Sequence, residues 1–187
     1  MGQTYTINPQ GANTYTIQGG NSIVTPSSNT NYTILGVNNN GCYSNTFATC
    51  TVSVYANPTI TNLSYSICQG QSVIINPNGA LNYSIQGNNF NVNPTQNTTY
   101  TINGSSLNGC VMPIPATATV IVYNIPTISI TNTAICLGQA YTINPQGANT
   151  YTIQGGNFII SPTLSTNYTV TGTSINGCIT NTPATLN

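Results

Sequence analysis

Apolar and polar residues alternate along most of the chain, in runs of four to eight residues bounded by Pro, Gly and Asn-Gly. In Thr14–Ile17, Tyr15 and Ile17 fall on one face and the two Thr on the other. The same alternation pairs Tyr32 with Ile34, Val52 with Val54, Tyr100 with Ile102, Val120 with Val122, and Tyr168 with Val170. A period of two predicts half-buried antiparallel strands with one polar face. We therefore expect an all-β protein built from small β-sandwiches.

The pattern repeats along the chain. The stretch YTINPQGANTYTIQGGN occurs at 5–21 and again at 141–157, and the Asn-Gly-Cys triplets end at Cys42, Cys110 and Cys178, 68 residues apart. This period predicts three units, at 1–55, 56–123 and 124–187. The first would lack its first strand and the third its last strand. Two interpretations are open: a fragment of a longer array, which we favour, or a subunit whose open edge is completed by a strand from the next subunit.

The composition removes whole classes of function, because the chain contains no Asp, Glu, Lys, Arg or His. General acid–base catalysis normally uses such side chains, and nucleic-acid binding needs basic ones. Hard cations prefer carboxylates, and zinc prefers His or closely spaced thiolates. We therefore predict a protein that is not an enzyme, has no cofactor and no metal site, and binds no nucleic acid.

The apolar content is sufficient for small cores, at 39% of residues. No apolar run approaches the roughly 18 residues of a membrane span. The start, Met1-Gly2-Gln3, has neither the basic nor the apolar segment of a secretory signal.

An ordered set of motifs recurs in each unit. In the third unit these motifs are Ile135–Gln139, Gly147–Tyr151, Pro162-Thr163, Thr166–Val170 and Asn176-Gly177-Cys178. Their order resembles the immunoglobulin-like, PKD-like repeats of giant surface proteins from gliding and filament-bearing Bacteroidota, over essentially the whole chain. The resemblance implies tandem immunoglobulin-like β-sandwich domains in a secreted, cell-surface stalk, filament or adhesin.

The sequence departs from that pattern in two ways. Ile17, Ile85 and Ile153 stand where those repeats usually have Trp, which makes the core less bulky. The acidic residue that often precedes Asn-Gly-Cys is also missing, so ion binding by those repeats does not carry over.

Six cysteines allow fifteen pairings. We favour pairs within a unit, Cys68 with Cys110 and Cys136 with Cys178, leaving Cys42 to bridge Cys50. Each 43-residue loop would then contribute roughly 4 kcal/mol. The alternative joins neighbouring units, Cys42 to Cys68 and Cys110 to Cys136, and leaves Cys50 and Cys178 unpaired. In-phase cysteines indicate an oxidising, extracellular location rather than free thiols in a cytosolic protein.

Charged residues on strand edges normally prevent edge-to-edge association, and this chain has none. We therefore predict self-association into a fibre or homopolymer. Exposed Tyr, Asn and Gln could also bind glycans or surfaces. The leading hypothesis is a non-catalytic structural module of an extracellular filament or giant adhesin. The alternative is a carbohydrate- or ice-binding protein with a neutral surface, although a 68-residue period does not suit the short-period arrays of ice binding. An amyloid-like fibre is disfavoured by the Pro and Gly turns.

Overall fold

The computed structural model describes residues 3–187, and within that range it is all-β, with no helix. The strands are β1 (Tyr5–Thr6), β2 (Thr14–Ile17), β3 (Ile23–Val24), β4 (Thr30–Val37), β5 (Ala48–Val52), β6 (Leu63–Cys68), β7 (Val73–Ile74), β8 (Asn82–Ile85), β9 (Asn91–Val92), β10 (Thr98–Ser105), β11 (Ala116–Tyr123), β12 (Tyr141–Thr142), β13 (Thr150–Ile153), β14 (Ile159–Ile160), β15 (Tyr168–Thr173) and β16 (Ala184–Leu186). The all-β prediction is confirmed.

The same local arrangement appears three times. A four-residue strand, β2, β8 or β13, lies next to a longer strand, β4, β10 or β15, in a main sheet. A separate two-stranded sheet, β1–β3, β7–β9 or β12–β14, accompanies each main sheet. Small polar residues alternate with Tyr and Ile in the four-residue strands, and the Ile that ends each strand is buried. The predicted alternation therefore places its apolar face inward.

The chain divides into two compact units. The first comprises Met1–Pro58 and Ser105–Met112, and the second comprises Thr59–Gly104 and Pro113–Asn187. The division into domains at 1–55, 56–123 and 124–187 stays a prediction. For the sequence segments themselves we use the terms first, second and third repeat.

In the first unit, β4 pairs antiparallel with both β2 and β5, in a three-stranded sheet. Its core consists of Ile7, which follows β1, together with Ile17 and Ile34 from the sheet. The core is thus shared between the small sheet and the main sheet. Cys50 of β5 packs against it and is half-buried.

The second unit contains the longest ladder of the molecule's described part, in the sheet ordered β6-β11-β10-β8. β6 runs parallel to β11, with a register that starts at Leu63 opposite Ala118 and ends at Cys68 opposite Tyr123. β11 is paired on both edges, and its Ala118 and Val120 are fully buried. The same unit holds the sheet ordered β13-β15-β16, around a core of Ile143, Ile153, Val170 and Leu186.

The recurring Gly-Ala-x-x-Tyr motif is a loop closed by its own tyrosine. The Tyr83 hydroxyl accepts a hydrogen bond from the Ala80 N–H at 3.0 Å and donates one to the Ala80 carbonyl at 2.8 Å. Gly79 has φ = +100°, and a Cβ there would collide with the carbonyl oxygen of Thr59. Only glycine meets both conditions, because L-residues avoid that φ and no room exists for a side chain. The motif thus fixes the loop that leads into β8.

Candidate functional site

A disulfide bond lies where the second and third repeats meet. Cys68, at the end of β6, forms a disulfide with Cys178, and their Cα atoms are 5.6 Å apart. Cys68 is the register partner of Tyr123, the last residue of β11. The Sγ of Cys178, a buried residue, lies 3.9 Å from the Tyr123 carbonyl oxygen. The bond therefore ties the third repeat to the last strand of the second, and we call this contact the repeat junction.

Cys178 is carried by a tight turn, which we call the Asn-Gly-Cys turn. The Ser174 N–H donates to the Cys178 carbonyl at 2.8 Å, and the Gly177 N–H donates to the Ser174 carbonyl at 3.0 Å. The Ser174 hydroxyl accepts from the Cys178 N–H at 3.1 Å. Gly177 has φ = +80°, a conformation that glycine adopts at no steric cost. These hydrogen bonds fix the direction in which the Cys178 side chain points.

Cys68 is also followed by a turn, which we call the Ile-Cys turn. The Gln71 N–H donates to the Cys68 carbonyl at 3.0 Å, and Gly70 has φ = +84°. The Gln71 side chain closes the turn further, because its Oε1 accepts from the Cys68 N–H at 3.1 Å. The junction disulfide thus joins two turns that are each held by short-range hydrogen bonds.

The favoured disulfide pairing is wrong. Cys68 is bonded to Cys178 and not to Cys110, while Cys42, Cys50, Cys110 and Cys136 are free. The alternative scheme, which joined Cys42 to Cys68 and Cys110 to Cys136, is wrong as well.

The reason for the error lies in the repeat itself. Equal spacing shows which cysteines are equivalent, but it does not distinguish a partner in the same repeat from the equivalent cysteine one period later. Cys110 and Cys178 are equivalent, and the junction uses the later one. The Asn-Gly-Cys turn docks against the strand that ends the preceding repeat, and this docking decides the pairing.

The Asn-Gly-Cys turn of the second repeat docks in the same way. In the first unit, the Cys110 Sγ lies 3.9 Å from the carbonyl oxygen of Tyr55, as the Cys178 Sγ does from that of Tyr123. Tyr55 follows β5, the strand equivalent to β11. The half-buried Cys110 thiol is free.

The thiol of Cys50 has a different environment. Cys50 lies within β5, opposite Tyr32, and its side chain faces the Ile core of the first unit. Its equivalent in the second repeat is the fully buried Ala118. The half-buried Cys50 therefore packs against the core as a small apolar residue, which is a common role of a free cysteine.

A groove of about 410 Å³ opens in the third repeat. Its lining includes Thr133, Ile135, Tyr141, Tyr168 and Leu186. Residues 131–140 are exposed, and Ile135 is 37% exposed whereas its equivalent in β6, Ile67, is 7% exposed. In the second repeat, by contrast, β6 pairs along its whole length with β11.

A second pocket of about 260 Å³ lies beside the junction disulfide. Its lining includes Gln69 and Gln71 from the Ile-Cys turn, and Gly177 and Ile179 from the Asn-Gly-Cys turn. The groups in both cavities are hydroxyls, amides, sulfur and hydrocarbon. In the described part of the chain, no three metal-ligating side chains come together. No helix there is long and apolar enough to span a membrane.

Comparison with known proteins does not identify a family for this chain. No protein-family model matches the sequence, and no curated protein is similar to it. Solved structures that are similar at a low level include two extracellular cadherin structures. The ectodomain of human desmocollin-1 is 10% identical, with a TM-score of 0.27, and the alignment covers 86% of this chain and 43% of that one. The extracellular cadherin domains 1–4 of protocadherin gamma B7 are 11% identical, with a TM-score of 0.27, and the alignment covers 99% and 66%. The chain thus spans less than two thirds of either structure, and TM-scores of this size carry no argument about fold or function.

Proposed function

We propose that this chain is a non-catalytic structural module of an extracellular filament or giant surface adhesin, in which tandem immunoglobulin-like β-sandwich repeats serve as a stalk or fibre subunit. The observation that carries the proposal is the repeat junction. A disulfide between Cys68 and Cys178 joins consecutive repeats by a second covalent path, in addition to the backbone. Such a bond is expected in a protein whose task is to hold a fixed length under load.

The location of the bond supports this role. Cys68 ends β6 and Cys178 docks at the end of β11, so the two sulfur atoms lie where one repeat passes force to the next. Disulfides persist in oxidising compartments, which supports an extracellular location.

The surface supports self-association. With no charged side chain, two copies approach without electrostatic repulsion, and exposed strand edges are not protected by Lys or Glu. Large apolar side chains are exposed in all three repeats, among them Phe47, Ile114 and Leu164. A fibre subunit gains from these properties, whereas a monomer that must stay dispersed does not.

Sedimentation velocity and negative-stain microscopy of the purified chain test the proposal. We expect elongated particles that lengthen or associate laterally as the concentration rises, in both oxidised and reduced samples. Compact monomers at all concentrations up to the millimolar range would contradict the proposed function.

A further inference from the structure

One side of β6 has no partner strand. The sheet ordered β6-β11-β10-β8 ends at β6, and within the described residues no strand lies on its far side. β6 has six residues, whereas the other strands at sheet edges have between two and five. It belongs to the second repeat, which has a repeat before it and another after it in the sequence. We call the unpaired side of β6 the open edge.

The hydrogen bonds to β11 determine which backbone groups face the open edge. The Gln69 N–H, directly after β6, donates to the Tyr123 carbonyl at 2.9 Å. Successive residues of a strand direct their N–H and C=O groups to opposite sides. Residues an even number of positions before Gln69 therefore bond to β11. The residues between them, Ser64, Ser66 and Cys68, direct their backbone groups to the open edge.

The two serines carry the free hydrogen-bonding groups of this edge. The Cys68 N–H already donates to Oε1 of Gln71 at 3.1 Å. No strand within residues 3–187 pairs with the outward side of Ser64 and Ser66, and both residues are exposed. Backbone N–H and C=O groups are strong hydrogen-bonding groups, so these serines offer donors and acceptors to a further strand.

The open edge lacks the features that usually prevent strand addition. Natural sheets protect their edges with charged residues, proline, bulges or very short strands. β6 has the sequence LSYSIC, without charge or proline, and its register against β11 is continuous from Leu63 to Cys68. A neutral, regular edge of this length is a template for β-strand addition. A second copy of the chain is not repelled from it, since neither copy has a charged side chain.

We propose that the open edge of β6 pairs antiparallel with the open edge of a second copy, so that the main sheets of the two second repeats form one continuous sheet. This inference rests on the proposed function, and it specifies the surface through which chains associate side by side. A two-fold axis beside Tyr65 relates the two copies, so the contact uses the same surface on both. Ser64 of each copy lies opposite Ser66 of the other, and each serine pair exchanges N–H···O=C bonds. The Cys68 N–H keeps its bond to Gln71 in this register.

Apolar side chains on the core-facing side of the sheet favour the same register. Tyr65 would lie opposite Tyr65 of the second copy, in a pair without backbone hydrogen bonds, where side chains on neighbouring strands are closest. Leu63 would lie opposite Ile67 of the second copy. Leu63 and Tyr65 are only half-buried in the single chain, so the contact removes further apolar surface from water. The Tyr65 ring is already held in place, because its hydroxyl accepts from the Asn76 N–H at 3.1 Å.

Hydrogen exchange followed by NMR at low and high protein concentration tests the proposal, with free thiols blocked. In dilute solution the Ser64 and Ser66 N–H groups should exchange fast, whereas those of Tyr65 and Ile67, which bond to β11, should exchange slowly. At concentrations where sedimentation shows dimers, exchange at the two serines should slow at least about tenfold. Exchange at Tyr65 and Ile67 should not follow the dimer concentration in this way.

Variants separate the open edge from other surfaces. Ser66→Lys places a charge at the edge and should weaken dimerisation at least about tenfold in sedimentation equilibrium. Ser84→Lys is the matched control, because Ser84 is an exposed serine of β8 at the opposite edge of the same sheet, and it should keep dimerisation. Ser66→Pro tests the contact without adding charge. It removes an N–H that points away from β11, so β6 should stay in place while dimerisation weakens.

Three results would overturn the proposal: exchange at the two serines that does not depend on concentration, dimers that persist in both Ser66 variants, or dimers that are lost equally in Ser84→Lys. Slow exchange at Tyr65 in each dilute variant shows that β6 is still paired with β11. Elongated particles in which the serines stay unprotected, associated or not, would overturn this contact alone. Compact monomers at all concentrations would instead contradict the proposed function.

Discussion

Reduction of the Cys68–Cys178 bond should greatly increase the length to which a single molecule can be stretched. The bond bridges a sequence separation of 110 residues. An extended chain spans about 3.4 Å per residue, so the intact bond keeps roughly 370 Å of contour length from being extended. The remainder of the 187 residues supplies roughly 260 Å on the same basis. We therefore expect roughly 260 Å of contour in the oxidised molecule and about 640 Å in the reduced one.

Single-molecule force spectroscopy measures this length directly, with handles attached at terminal tags rather than at cysteine. The same molecule can be pulled before and after a reductant is added. Cys68→Ser should show the long contour even without reductant, and Cys110→Ser, which removes a free thiol, should behave as the parent chain. Equal contour lengths before and after reduction would refute a covalent path across the junction.

Three further predictions concern the stability of the chain. Gly79→Ala should be about 1–3 kcal/mol more destabilising than Gly11→Ala. Both glycines have φ = +100°, but only at Gly79 would a Cβ collide with the Thr59 carbonyl oxygen. Urea denaturation should therefore give a lower midpoint for Gly79→Ala, and equal midpoints would contradict this reasoning. Tyr83→Phe should cost about 1–2 kcal/mol, since it removes both hydrogen bonds to the Ala80 backbone; an unchanged midpoint of thermal unfolding would show that the loop does not depend on the hydroxyl. The free energy of unfolding should stay constant between about pH 4.5 and 7, because the chain has no Asp, Glu, His, Lys or Arg to titrate. Urea midpoints measured at both ends of this range should coincide, and midpoints that change with pH would contradict this reasoning.

Local structure could be predicted because the signal is local. The alternation of Tyr15 and Ile17 with Thr determines which face is buried, and Ile17, Ile85 and Ile153 are all buried at the ends of their strands. The Gly and Asn-Gly positions that bound the strands are turns with positive φ. These features depend on neighbours a few residues away, and all of them are visible in a single sequence.

The junction could not be predicted, because its partners are separated by more than one period. Cys68 meets Cys178 only because β6 runs parallel to β11 and the next Asn-Gly-Cys turn docks at Tyr123. Neither the parallel pairing nor the docking leaves a periodic signal in the sequence. Ser174 and Asn38, each four positions before a turn cysteine, accept a hydrogen bond from the N–H of that cysteine. A polar residue at this position in the sequence therefore indicates the turn, but it does not identify the disulfide partner of the cysteine.

A map of the disulfides in the chain, purified under oxidising conditions with free thiols blocked, tests the repeat junction. Chymotryptic peptides analysed by mass spectrometry should contain Cys68 linked to Cys178, a bond between consecutive repeats. A peptide pair linking Cys68 to Cys110 would confine the bond to one repeat and would contradict a covalent junction between the second and third repeats.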